Sequence, residues 1–216
     1  MSDPVSTAVV VPVRSLEGAK SRLGAVLDAE ERRDLVERLL RRTVAAALAT
    51  PGVADVVVVS PDPEVLAVAS AAGARPLTQR SRGLNPALQE ARAAIDADRL
   101  LVLPADLPAV TAGDLAAVLA AGDAAGTPSV VLAPDRHGRG TNALLLAPPD
   151  VIDFAFGGDS RAAHAWRASS AEAGYVEVPG VLALDLDTPD DLLLAESLLA
   201  KSPPAESLLT ESPGVR

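Results

Sequence analysis

The sequence predicts an α/β protein, a mixed and mostly parallel sheet with helices on both faces. Three observations predict it. Short apolar runs alternate with longer segments of helical periodicity along most of the chain. The runs Val56-Val57-Val58-Val59 and Leu100-Leu101-Val102-Leu103 show no polar alternation, as strands covered on both faces require. Of the 216 residues, 49% are hydrophobic and only 2% aromatic, so a single-domain core has to be built from Ala, Val and Leu.

Each element has its own signal. Residues 8–13 read as the first strand. Residues 28–50 read as a long helix, with Asp28 and Glu31 at capping-box spacing and Pro51-Gly52 as the stop. A second strand over 55–60 leads to a helix over 63–72 ended by Gly73, and residues 75–77 suit a short third strand. Residues 86–97 are helical and 99–103 form a buried strand. The spacing then gives a helix over 111–121, strands over 129–133 and 142–146, and a helix over 160–173. A strand over 181–186 and a helix over 189–201 complete the pattern. Residues 1–201 read as one domain. Residues 202–216 carry three prolines and no core pattern, and read as a flexible tail.

Composition narrows the function. Nineteen basic against 29 acidic residues give a net charge of −10, which repels nucleic-acid phosphates and anionic membranes. No nucleic-acid or membrane partner is expected. The absence of cysteine excludes disulfides, thiolate metal sites and a Cys nucleophile. No basic-plus-apolar leader opens the chain, and Pro or a charge breaks every apolar run well short of a membrane span. A soluble, cytoplasmic protein is expected.

Open α/β sheets bind ligands beyond the carboxyl ends of their strands, so the segments after the strands matter most. The first strand is followed by Arg14-Ser15-Leu16-Glu17-Gly18-Ala19-Lys20-Ser21-Arg22-Leu23. Its cations Arg14, Lys20 and Arg22 suit a polyphosphate, or simply a solvated basic loop. Asp106 in Pro104-Ala105-Asp106-Leu107-Pro108 follows a buried strand, as a paired or metal-bound acid or as a turn residue. In the segment from Val181 to Asp187, Leu182, Leu184 and Leu186 share one face while Ala183, Asp185 and Asp187 share the other. Two carboxylates side by side call for a hard cation. Capping does not account for them, because Thr188, Pro189, Asp190 and Asp191 already supply the next helix with an N-cap, an N1 proline and first-turn acids.

Three further segments suit anions or a base. Asp135-Arg136-His137-Gly138-Arg139-Gly140-Thr141-Asn142 reads as an anion-binding loop or a hairpin turn. Phe156-Gly157-Gly158-Asp159-Ser160 leads into a helix N-terminus, as a phosphate or carboxylate seat or as a turn capped by Asp159 or Ser160. Gly83-Leu84-Asn85-Pro86 reads as a backbone that meets a base edge, or as an N-cap at Asn85. His164, beside Trp166 in a helix, reads as packing or surface, and no Ser/His/Asp set is present.

Six of these motifs in order carry a resemblance that spans about residues 8–200. They are Pro12-Val13-Arg14 with Lys20-Ser21-Arg22-Leu23, Gly83-Leu84-Asn85, Pro104-Ala105-Asp106-Leu107-Pro108, Gly140-Thr141-Asn142, Phe156-Gly157-Gly158-Asp159-Ser160 and Asp185-Leu186-Asp187-Thr188-Pro189. The chain resembles the 2-phospho-L-lactate/phosphoenolpyruvate guanylyltransferases of coenzyme F-420 biosynthesis. That resemblance implies a nucleotidyltransferase-type fold and transfer of GMP from GTP to a phosphorylated three-carbon acid, with release of pyrophosphate. It implies that Asp106, Asp185 and Asp187 hold a divalent metal, Mg²⁺ or Mn²⁺. It also implies that Thr141, Gly157 and Ser160 bind the phospho-acid. By analogy with related nucleotidyltransferases, the first loop holds the triphosphate through Lys20, Arg14 and Arg22, and Gly83, Leu84 and Asn85 lie near guanine.

Related sugar and molybdopterin nucleotidyltransferases open with a Leu-Ala-Ala-Gly loop where this chain has Val11-Pro12-Val13-Arg14. That departure argues against those relatives. A same-fold nucleotidyltransferase for another nucleotide or phosphorylated substrate, and a non-catalytic nucleotide-binding domain, are the alternatives. No residue visibly chooses among phosphoenolpyruvate, 2-phospholactate and 3-phosphoglycerate. The Ala-rich, Lys-poor composition favours phosphoenolpyruvate by association with GC-rich bacteria.

Overall fold

A computed structural model describes residues 5–16 and 20–199. Its strands are β1 (Thr7–Pro12), β2 (Val53–Ser60), β3 (Arg75–Thr78), β4 (Arg99–Val102), β5 (Ser129–Pro134), β6 (Thr141–Ala147) and β7 (Gly174–Glu177). They form one sheet in the order β3-β2-β1-β4-β6-β5-β7. Only β6 runs antiparallel to its neighbours, β4 and β5. The cause is local: β5 and β6 are joined by a short turn, which allows an antiparallel hairpin, whereas crossovers enforce the parallel pairs. The helices are α1 (Ala29–Leu48), α2 (Pro63–Ala71), α3 (Leu84–Ala93), α4 (Ala112–Ala125), α5 (Ser160–Ser170) and α6 (Pro189–Leu199).

Alternate residues of the central strands feed two cores. Val9, Val11, Val58 and Leu101 pack with Leu40 of α1 and Leu115 of α4. Val10, Val57, Leu100 and Val102 pack on the other face with Leu88 of α3 and Ala168 of α5. The unbroken apolar runs are thus buried on both sides, as their lack of alternation requires. The α1 capping box forms: Glu31 N–H donates to Asp28 Oδ1 at 2.9 Å, and Asp28 N–H to Glu31 Oε2 at 2.7 Å.

Three sequence expectations need correction. Residues 181–186 are not a strand: a 3-10 turn at Val181–Ala183 leads into extended backbone outside the sheet. The side chains still alternate, with Leu182, Leu184 and Leu186 buried, but the backbone forms no ladder with a strand and bonds instead to loops and to the Asn142 side chain of β6. Leu186 N–H donates to Asp106 O, and Arg136 N–H donates to Ala183 O. The seventh strand is instead the short edge strand β7. Helix α3 begins two residues earlier than expected, at Leu84, because Gly83 turns the chain into it with φ 101°. Residues 200–216, with the end of the expected last helix and the tail, lie outside the described residues. Among the described residues no helix is long and apolar enough to cross a membrane.

Candidate active site

The sheet places a crevice between β1 and β4. From β1 the chain crosses to β2 on one side, while β4 lies on the other, so the loops after β1 and β4 diverge. Such a switch point is where α/β sheets hold ligands. A separate apolar cluster then draws the first loop and the C-terminal segment together. Leu23 and Leu27 beyond the first loop, and Leu35 and Leu39 of α1, pack with Leu184, Leu186 and Leu192. This packing brings Lys20 to Asp187 although 167 residues separate them.

Lys20 is the hinge of the site. It stands in the left-handed region, φ 52°, as the cap of a 3-10 turn over Ser21–Ala25 that the sequence reading missed. Its Nζ lies 2.8 Å from Asp106 Oδ2 and 2.8 Å from Asp187 Oδ1. Burial opposes the ammonium charge, but the Asp106 and Asp187 carboxylates outweigh it and hold Lys20 above the ordinary lysine range. Arg22 reaches the other oxygen of Asp187 only at 3.9 Å and is mostly exposed. The backbone of Asp187 is fixed in turn, because its N–H and the Thr188 N–H both donate to Asp191 Oδ2. Thr188 Oγ1 accepts from Asp191 N–H at 3.3 Å, closing the expected cap of α6.

Asp185 lies beside this pair. Burial pushes its carboxyl above the usual range, and the negative charges of Asp106, Asp187 and Asp191 push the same way. Its own backbone N–H pulls the other way, and among the described residues no other group donates to its carboxyl. Three carboxylates on two loop ends, one of them half-buried and lacking another donor, are a donor set that fits a hard divalent cation. They are not gathered into a closed cage: among the described residues no three His, Asp or Glu side chains form a ready metal cluster.

Two cavities meet at the end of β1. One, about 220 Å³, is lined by Arg14, Ser15, Lys20, Pro104 and Asp106. The other, about 680 Å³, is lined by Arg14, Gln79, Ser81, Arg82, Gly83 and Leu84, and lies within the size range of small-molecule sites, roughly 300–1,000 Å³. Pro12, Val13 and Arg14 form their common wall. Asn85 does not cap α3. Its amide makes a two-point clamp on Phe156, accepting from Phe156 N–H at 2.9 Å and donating to Phe156 O at 3.0 Å. Gly83 and Leu84 therefore face the larger cavity while Asn85 ties its rim to the segment before α5.

Thr141, Gly157 and Ser160 lie on that same side. Because β6 runs antiparallel to β4, with Val102 opposite Leu144, its first residue Thr141 lies toward the carboxyl end of β4 and Asp106. Ser160 Oγ is 3.0 Å from Thr141 Oγ1, and both residues are largely buried. Gly157 has φ 141°, a backbone that side chains other than glycine rarely adopt. Neither expected cap of α5 forms: Asp159 accepts from Arg139 Nε at 2.7 Å, and the Ser160 hydroxyl turns to Thr141. Beneath them His164, fully buried, contacts Thr141 Oγ1 and the Ala155 N–H. The sequence reads His164 as packing or surface, and it is indeed packed inside, but its contacts with Thr141 and Ala155 carry no motif and only the fold sets it under Thr141.

Comparison with known proteins sharpens the picture. Residues 7–200 match the family described as "Guanylyl transferase CofC like". The chain is 47% identical over 199 residues to the phosphoenolpyruvate guanylyltransferase of Rubrobacter xylanophilus, covering 89% of this chain and 95% of that one. Among solved structures it is similar to a CMP:2-keto-3-deoxy-manno-octonic acid synthetase complexed with CTP, with a TM-score of 0.63 and 17% identity over 91% of this chain and 99% of that chain. It is also similar to glucosyl-3-phosphoglycerate synthase from Mycobacterium tuberculosis in complex with Mn²⁺, uridine diphosphate and glucosyl-3-phosphoglycerate. There the TM-score is 0.59 and the identity 12%, over 81% of this chain and 70% of that one. At those identities the structural likeness speaks for the nucleotidyltransferase-type fold alone.

Proposed function

The chain belongs to the CofC-like guanylyl transferase family, and from that membership and the geometry of its groove we propose that it transfers GMP from GTP to phosphoenolpyruvate and releases pyrophosphate. This is the step of coenzyme F-420 assembly that the family resemblance implies. The observation that carries the reading is Lys20, held between Asp106 and Asp187 and lining the smaller cavity that shares its Arg14 wall with the larger one.

An oxygen of the phosphoenolpyruvate phosphate is already anionic near neutral pH, so the attack requires neither a general base nor a protein nucleophile. That oxygen bonds to the α-phosphorus of GTP while the bond to the β-phosphate oxygen breaks, and pyrophosphate leaves with the electron pair. The obstacle is repulsion between two anions in a protein of net charge −10. Lys20 and Arg14 supply positive charge along the groove between them, fixed in place before the reaction. A divalent cation, held by Asp106, Asp185 and Asp187, would supply further neutralisation of the phosphate oxygens. Gly83 and Leu84 form the wall of the lobe that takes the guanosine, and Thr141, Gly157 and Ser160 form the seat of the phospho-acid.

The test offers phosphoenolpyruvate, 2-phospho-L-lactate and 3-phosphoglycerate in turn, each with GTP or with CTP, and Mg²⁺. Pyrophosphate release is the readout, and the unstable product is trapped by its downstream acceptor. Turnover is expected to be fastest with GTP and phosphoenolpyruvate, and Asp106→Asn to lower it about a hundredfold or more. Faster turnover with CTP, or an Asp106→Asn enzyme with normal rate and Mg²⁺ demand, would overturn the proposal.

A further inference from the structure

The polar groups under the phospho-acid seat allow their protons to be counted. The Ala155 N–H donates to His164 Nε2 at 3.0 Å, so that nitrogen carries no proton. A neutral imidazole then holds its proton on Nδ1. Nδ1 lies 3.1 Å from Thr141 Oγ1, which therefore accepts from it. The Thr141 and Ser160 hydroxyls are 3.0 Å apart, and one donates to the other. If Ser160 donates, the Thr141 proton is left over; if Thr141 donates, the Ser160 proton is. In both arrangements the pair keeps one O–H for a further acceptor.

We infer that His164 is a positioning residue that fixes the Thr141–Ser160 hydroxyl pair as a net hydrogen-bond donor toward an oxyanion of the bound phospho-acid, an inference that rests on reading these two hydroxyls as that acid's seat. The opposite tautomer would set Nε2–H against the Ala155 N–H. A doubly protonated ring would do the same. Burial, with Arg167 adding to it, lowers the imidazole to about 4, so the ring is neutral at the pH of the reaction. The ring is held edge-on to Phe156, with centroids 5.0 Å apart and planes at 70°. Phe156 is in turn clamped by Asn85. A donor fixed in this way favours an ionised phosphate or carboxylate oxygen, where hydrogen bonds are charge-assisted.

Two amide variants separate this role from packing. In His164→Gln the amide falls near Nε2, so its oxygen replaces the acceptor for Ala155 while the donor to Thr141 is lost. In His164→Asn the amide falls near Nδ1, so its nitrogen replaces the donor. His164→Gln is expected to raise the KM for the phospho-acid about tenfold, with kcat and the KM for GTP within about twofold. His164→Asn is expected to recover the affinity to within about threefold of the unmodified enzyme. Equal impairment by both variants, or an unchanged KM for the acid in His164→Gln, would overturn the inference.

Thr141→Ala distinguishes failure of the inference from failure of the underlying reading. If it leaves the KM for the acid unchanged, the seat itself is misplaced. If it raises that KM and His164→Gln does not, only the role of His164 fails. Independently of any variant's folding, ¹⁵N NMR of the unmodified protein is expected to find one of its two histidines as the Nδ1–H tautomer at pH 7. An Nε2–H tautomer at His164 would sink the inference.

Discussion

His164 links the site to stability through pH, and the size of the effect follows from its surroundings. Folding lowers its imidazole from 6.5 to about 4, chiefly by burial. Between those values the unfolded chain binds a proton that the native ring does not, so stability falls as pH falls through that window. Above about pH 6.5 the contribution is intact. From pH 7.5 to 5.0 the loss is roughly 2 kcal/mol, and below pH 4 it levels at about 3 kcal/mol.

Carboxylates act elsewhere or with the opposite sign. Asp62, Asp98 and Asp191 are held below the usual range by hydrogen bonds that outweigh burial where the two compete. Their stabilisation is lost only as pH falls further, through their own depressed values. Asp185 is raised, so it gains stability as pH falls. A comparison of the unmodified protein with His164→Asn cancels all of these. Urea unfolding at pH 7.5, 6.5, 5.5 and 5.0 is best followed by far-UV circular dichroism, because the single tryptophan, Trp166, is 70% exposed and reports little on packing. The unmodified protein is expected to lose about 2 kcal/mol more than the variant over this range. Parallel curves would refute a buried, neutral His164, and the proton count with it.

Three further outcomes are expected. Lys20→Met removes the cation shared by Asp106 and Asp187, and pyrophosphate-release kinetics should fall about a hundred- to a thousandfold. Asn85→Ala breaks both bonds to Phe156; it should cost about 1–3 kcal/mol in urea unfolding and raise the KM for the acid. Gly122→Ala in α4 would place a Cβ 2.7 Å from Leu145 Cδ2 in the core. Overpacking of about 1–3 kcal/mol then outweighs the roughly 1 kcal/mol gain in helix propensity, so the melting temperature should fall.

Much of this was legible in the sequence because it is local. The Asp28/Glu31 box, the Thr188-Pro189 helix start and the doubly buried strands each depend on residues a few positions apart. The alternation places Leu182, Leu184 and Leu186 on one face, and in the fold that face is buried. The inference from alternation to strand failed because period two requires only extended backbone, and here the partners are the Asp106 carbonyl and the Arg136 amide rather than a neighbouring strand. Edge strand β7 escaped because its four residues, Gly174–Glu177, are too few and too partly exposed to show a pattern. Lys20, Asp106 and Asp187 could be named, but not the ion pairs that join them, since these depend on a leucine cluster assembled from distant segments. His164 was illegible for the same reason: what it does is set by Thr141 and Ala155, which only the fold brings to it.

The long-range contacts also account for how the two lobes are aligned. Asn85 lies two residues after Gly83 and grips the backbone immediately before Gly157, so the wall of the larger cavity is tied to the edge of the proposed acid seat. Phe156 extends that tie to His164, and His164 to Thr141 and Ser160. On the opposite bank Leu186 bonds to the Asp106 carbonyl, and the Asp191 carboxylate holds the Asp187 amide, so backbone contacts add to the Lys20 ion pairs in fixing the acidic residues. The proposed transfer needs no general base, which leaves alignment and charge placement as its main means of acceleration. The two banks are tied to each other as well, since Asn142, next to Thr141, donates to the Leu182 carbonyl and the Arg136 amide donates to the Ala183 carbonyl.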